Sequence, residues 1–181
     1  MKTTITEALA DIKTSMARIT KKRQSIKSFL GRDARIRDPM ENEGGSREFI
    51  RRELQSIADL ETKIVNIRSA IQASNLATEL EIEGRRMSLS NWLNWRREVS
   101  QGVKGFMAEV AAVLDQQRKQ ATQRGQPTTY AAAAMPDPQI GEWVVNVSEK
   151  ELAEQIDQME MTLGQLDGKL SLLNATTVID I

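Results

Sequence analysis

The sequence predicts a mainly α fold: a long antiparallel bundle of four helices, coiled-coil in character, with short β-strands at one end. Three observations predict it. Apolar residues recur at steps of three and four through four long segments, the spacing that lines one helix face. Aromatic residues are only 4% of the 181-residue chain, so aliphatic heptads must supply the packing. One helix-to-strand stretch is also written twice. Ile64, Ile67 and Ile71 lead to Asn75, Thr78, Leu80 and Ile82, and a shift of 99 residues gives Leu163, Leu166 and Leu170, then Asn174, Thr177, Ile179 and Ile181. Upstream, Ile57 and Leu60 fall on Ile156 and Met159. Overlapping heptads account for the aliphatic matches but not for Asn and Thr at the same offset. Each copy therefore reads as a helix that turns into a strand, and the two helices as parallel and ending at one level.

The elements follow in order. A basic helix over 1–30 carries the seam Ile5, Leu9, Ile12, Met16, Ile19, Arg23, Ile26 and Leu30, with Gly31 as its stop. The run Lys21-Lys22-Arg23 has the charge to touch phosphates, but it reads better as a solvated face with Arg23 setting register. Residues 31–45, with Asp38-Pro39 and Gly44-Gly45, form a loop. Over 46–120 the chain makes a helical hairpin interrupted by a small β-turn at 79–89. Ser46 caps its first helix, whose stripe of Ile50, Leu54, Ile57, Leu60, Ile64, Ile67 and Ile71 is wide enough for more than one neighbour. The β-turn centres on Gly84 and Arg85, and the alternating Glu79, Glu81 and Glu83 form the wet face of an edge strand. Ser88 or Ser90 caps the next helix, with Trp92, Arg96, Val99, Val103, Phe106, Val110, Val113 and Gln117 on its heptad. Trp92 is the apolar plug of the bundle end, and Trp95, followed by Arg96 and Arg97, is the candidate partner contact.

Residues 121–141, with their alanine run, Pro136 and Pro138, have linker composition. Over 142–181 come a strand beginning at Trp143, a capping box of Ser148 and Glu151, an acidic helix with Leu152, Ile156, Met159, Leu163, Leu166, Leu170 and Leu173, and a closing strand holding Val178, Ile179 and Ile181. The repeat places that strand beside Leu80–Ile82.

Charge is balanced overall, 25 basic against 25 acidic residues, so no global field recruits nucleic acid or anionic lipid. Residues 1–40 nevertheless carry net +6 and residues 142–181 net −6. That split predicts the first helix lying against the last, within one chain or between copies.

Cysteine and histidine are absent, which removes disulfides, thiolate nucleophiles, Cys/His zinc sites and histidine acid–base pairs. Gly102 and Gly105 lie in a helical heptad rather than a phosphate loop, and Glu149, Glu151, Glu154 and Asp157 have the spacing of a solvated helix face. No catalytic, cofactor or metal residues emerge, and the chain reads as non-enzymatic with no cofactor. The N-terminus has no signal-peptide core, and no apolar run reaches the ~20 residues that span a bilayer. A soluble, cytoplasmically made protein is expected.

Asn75-Leu76-Ala77-Thr78, Leu89-Ser90-Asn91-Trp92-Leu93, Trp95-Arg96-Arg97-Glu98, Val145-Asn146-Val147-Ser148, and Leu166-Asp167 with Asn174 carry a family likeness. On these motifs the region from Leu60 to Asn174 resembles a little-characterised bacterial coiled-coil family with a corynebacterial prototype, some members labelled septicolysin. The resemblance implies a long, self-associating antiparallel bundle without catalytic residues. The layout is also similar, more loosely, to helical virion proteins of tailed phages. The leading expectation is a structural virion component (capsid, collar or tail) that binds itself and other assembly proteins, with no nucleic acid and no membrane. The alternatives are a cytoplasmic coiled-coil adaptor and, more remotely, a membrane-active protein. Candidate interaction residues are Trp95, Arg96, Arg97, Lys21, Lys22, Arg23, Trp143, Val178, Ile179 and Ile181.

Overall fold

A computed structural model describes residues 2–123, 128–130 and 143–181. The described elements are β1 (Lys2–Thr4), α1 (Ile5–Ser28), α2 (Ser46–Ala77), β2 (Glu79–Ile82), β3 (Arg85–Ser88), α3 (Leu89–Asn94), a π-helical segment (Trp95–Ser100), α4 (Gln101–Gln123), β4 (Thr128–Tyr130), β5 (Trp143–Val145), α5 (Glu149–Thr176) and β6 (Val178–Asp180). The protein is mainly α. It divides into two compact units: unit 1 takes Met1–Thr78 with Lys169–Ile181, and unit 2 takes Glu79–Gly168.

In unit 1, α1 and α2 form an antiparallel pair. Ile5, Ala8 and Ile12 pack with Ile67, Ile71 and Ile179, while Ile19 and Ile26 pack with Ile57. The buried line of α1 is Ile5, Ala8, Ile12, Ser15, Ile19 and Ile26. This corrects the expected seam: Met16 and Leu30 are exposed, and Arg23 reaches Glu61 at 2.7 Å. Small residues at 8 and 15 let the α2 backbone approach, and the bulkier Leu9 and Met16 are displaced to the flank. Thr4 starts the helix with a full capping box: its hydroxyl accepts from Glu7 N–H at 3.2 Å, and its own N–H donates to the Glu7 carboxylate at 2.9 Å.

The sheet of unit 1 pairs β1 with β6, antiparallel, Thr4 opposite Val178 and Lys2 opposite Asp180. The expected pairing of the closing strand with Leu80–Ile82 is therefore wrong. β2 already has a partner in β3, across a two-residue turn at Glu83-Gly84 with φ of 50° and 76°. Positive φ at both central residues matches the right-handed twist of the flanking strands, which is why tight hairpins demand it.

The internal repeat appears in the element boundaries. α2 ends at Ala77 and β2 begins at Glu79; α5 ends at Thr176 and β6 begins at Val178, each at the 99-residue shift. Thr78 N–H donates to the Ser74 carbonyl at 3.0 Å, and Thr177 N–H to the Leu173 carbonyl at 2.8 Å. The second strand of each sheet then leads into a capped helix. Ser88 lies opposite Glu79 and caps α3 through Asn91 N–H; Thr4 lies opposite Val178 and caps α1 through Glu7 N–H.

In unit 2, α5 runs antiparallel to the segment from the π turn through α4. Arg96 meets Asp167 at 2.7 Å, Lys104 meets Glu160 at 3.0 Å, and Arg118 pairs with Glu149. The basic α1 likewise holds its carboxylates on α2, through Lys22–Glu53 and Arg23–Glu61. Within one chain this departs from the expectation that the first helix lies against the last: these ion pairs join each helix to its own sequence neighbour. The heptad of the third helix is also redistributed. One extra residue enters at the π segment, so buried Ser100 matches buried Ser15 at a shift of 85, whereas the caps Ser88 and Thr4 match at 84. Val99, Phe106 and Val113 consequently face outward.

The segment read as a linker contributes α4 up to Gln123 and β4, which pairs parallel with β5 from Thr128–Trp143 to Tyr130–Val145; the rest of it lies outside the described residues. Before α5, Glu151 N–H donates to the Ser148 hydroxyl at 3.2 Å, the forward half of the expected box.

Candidate interaction surface and hairpin cavity

The β2–β3 hairpin of unit 2 is held from both sides. Trp92 is buried and its indole N–H donates to the Leu80 carbonyl at 3.2 Å, the plug role its spacing predicts. At the turn, Glu83 reaches α5, where its carboxylate accepts from Thr162 Oγ1 at 2.7 Å, Gln158 Nε2 at 2.5 Å and Gln165 Nε2 at 3.5 Å. Glu83 is thus an anchor rather than the wet strand-face residue expected from the alternating glutamates. Glu79, by contrast, stays on the surface and pairs with Arg86 at 2.5 Å.

Beside this anchor lies a cavity of about 440 Å³ walled by Trp92, Trp95, Val103, Met107 and Met159, with Glu83, Arg85, Gln155, Gln158 and Thr162 as its polar lining. Trp95 stands edge-on to Trp92, ring centroids 5.6 Å apart. The repeat gives this cavity a counterpart in unit 1. Where unit 2 has Trp95 and Thr162, unit 1 has Asp11 and Lys63, joined by an ion pair at 2.7 Å. Trp92 corresponds to buried Ala8. The two copies diverge at the cavity wall and at the π segment, and agree at the caps and helix ends.

The residues singled out from sequence fall into different settings. Trp95 and Arg96 sit in the π segment, Trp95 half-buried at the cavity and Arg96 bound to Asp167. Arg97 is exposed, bound to its neighbour Glu98 at 2.6 Å and to Asn94 Oδ1 at 3.3 Å. Lys22 and Arg23 are bound to α2, and Lys21 is exposed. Ile179 is buried in the core of unit 1, while Val178 and Ile181 are exposed. Trp143 opens β5, and its side chain lies outside the described ones. These residues do not converge on one site.

Apolar side chains remain on the outer faces of the helices. Val99, Phe106 and Val113 stand at seven-residue intervals along the π segment and α4, adjoining half-buried Val103 and Val110. Leu54, Val65 and Leu76 do the same at eleven-residue intervals on α2. Of the stripe read in the sequence of α2 only Leu54 is exposed, while Ile50, Ile57, Leu60, Ile64, Ile67 and Ile71 pack with α1; Val65 and Leu76 lie outside that stripe.

Among the described residues no group of carboxylates has the arrangement of a metal site, and no helix is long and apolar enough to cross a membrane. No family model, no curated protein and no solved structure matches the chain.

Proposed function

We propose that this chain is a non-enzymatic structural protein that self-associates through its helix faces and takes part in a larger assembly, as a virion component of a tailed phage would. The observation that carries the reading is the set of uncovered apolar stripes on well-capped helices. A stripe repeated every seven residues is the seam of a helix–helix contact, and Val99, Phe106 and Val113 are exposed among the described residues. The mechanism is mechanical: rigid helix pairs set a spacing, and their outer faces join copies to one another and to other assembly proteins. No cofactor or nucleic acid enters this reading.

Sedimentation velocity on the purified chain tests it. Species larger than one chain are expected, with loss of the larger species in Phe106→Glu; a monomer at every concentration contradicts it. Trp95 at the cavity favours a second reading, a cytoplasmic adaptor whose hairpin end receives a partner's side chain. A closed oligomer that Phe106→Glu and Val65→Glu both leave intact would favour the adaptor.

A further inference from the structure

We infer that the outer stripe of α2 is a two-fold interface on which a second copy of this chain docks its own α2, antiparallel, with Val65 on the symmetry axis. The inference rests on the self-associating role proposed above and names one surface that carries it.

Leu54, Val65 and Leu76 are 54%, 61% and 63% exposed, large values for aliphatic residues spread along one helix. Eleven residues amount to about three turns, so the three side chains lie nearly in line over about 33 Å. That line is roughly a quarter-turn or more from Ile57, Ile67 and Ile71, which face α1, so a second helix reaches it without displacing α1.

The occupant follows from the symmetry of the stripe and its charges. The stripe is palindromic: leucine, valine, leucine at equal steps. Antiparallel pairing about Val65 places Leu54 of one copy against Leu76 of the other at both ends, the self-complementary pattern an isologous dimer requires. Glu61 and Arg68 lie on one flank of the stripe, four residues before and three after Val65. The same antiparallel register brings Glu61 of each copy to Arg68 of the other, giving two symmetry-related ion pairs. Arg68 has no ion-pair partner among the described residues, whereas Glu61 holds only the exposed Arg23. On the opposite flank, Thr62 and Ser69 face one another, so no like charges meet. A parallel pairing would instead set this flank against the opposite flank of the other copy, with Glu61 and Arg68 beside Thr62 and Ser69 and no ion pair formed.

The absence of cysteine makes the test clean, since every disulfide formed must join engineered positions. Val65→Cys alone should oxidise to a disulfide-linked dimer, because each copy meets its own residue at the axis. Leu54→Cys alone should stay unlinked, while Leu54→Cys mixed with Leu76→Cys should give the linked pair. Arg68→Glu should slow linking through Val65→Cys by about tenfold, and Arg68→Glu with Glu61→Arg should restore it. An exposed control, Ala10→Cys on α1, sets the rate of chance encounter. Val65→Cys linking no faster than this control, or Leu54→Cys linking to itself, overturns the inference. Light scattering on the same samples separates the two levels. Assemblies without the Val65 link refute this interface alone, and a monomer refutes the self-associating role with it.

Discussion

The hydroxyl of Thr162 on α5 donates to the Glu83 carboxylate at 2.7 Å, although the Glu83 backbone stands at φ 50°. A glutamate at a left-handed position is strained, and turns of this type favour Asn or Gly there. The side chain explains the choice, because only a long carboxylate reaches Thr162, Gln158 and Gln165. Thr162→Val removes the best-buried donor and should destabilise unit 2 by about 1–2 kcal/mol in urea unfolding. Glu83→Asn relieves the strain but forfeits the anchor, so its hairpin should remain folded while opening more readily in hydrogen exchange at β2. An unchanged unfolding midpoint for Thr162→Val would mean that water replaces the bond at no loss.

The loop before α2 should be sensitive to acid. The Asp38 carboxylate accepts from the Ser46 hydroxyl at 2.5 Å, from Ser46 N–H at 2.9 Å and from Met40 N–H at 2.9 Å. These bonds favour the ionised form and lower its pKa to about 2, the Ser46 hydroxyl being the largest cause. A folded pKa below the unfolded value contributes stability that is complete above the ordinary carboxylate range and disappears as pH falls from about 4 through about 2. Asp38→Asn should therefore melt below the wild type at neutral pH, with the gap closing near the folded pKa. A gap that ignores pH would contradict this account.

The seam of α1 separates two substitutions that the heptad alone would rank the other way. Ala8 is buried, and Ala8→Leu should cost about 1–3 kcal/mol by overpacking against α2. Met16 sits on a heptad position yet is exposed, so Met16→Ala should stay within about 0.5 kcal/mol of the wild type. Thermal unfolding of both variants decides between the two seams.

Each cap should matter in its own helix. Thr4→Ala and Ser88→Ala each remove a hydroxyl that accepts a first-turn N–H, with a loss of about 1 kcal/mol apiece. Equal melting of both variants and the wild type would show that solvent satisfies those N–H groups.

How legible the structure was depended on how local the cause was. Helix periods, the Ser88 cap, the hairpin and the paired helix-to-strand ends at Thr78 and Thr177 are written in short-range pattern, and the structure places them there. Strand partners are not local. Nothing in Lys2-Thr3-Thr4 announces a strand, yet it pairs with β6 and leaves β2 to β3. The π segment was hidden because an added residue leaves the heptad spelling of Val99, Phe106 and Val113 intact while turning those side chains outward. The Glu83 anchor was missed because alternation suggested a strand face. A glutamate ahead of Gly84, in a turn that favours Asn, was the signal for it. Lys22 and Arg23 could be seen as charged but not as partners of Glu53 and Glu61, whose placement depends on the pairing of α1 with α2.

The central claim, that copies of this chain join through uncovered helix faces, is tested most directly by the solution mass from light scattering, comparing the wild type with Val65→Glu and Phe106→Glu. The account predicts a wild-type mass above that of one chain, rising with concentration, and a lower mass in the variants with helical content unchanged. A wild-type mass of one chain at all concentrations, or masses indifferent to both substitutions, would contradict it.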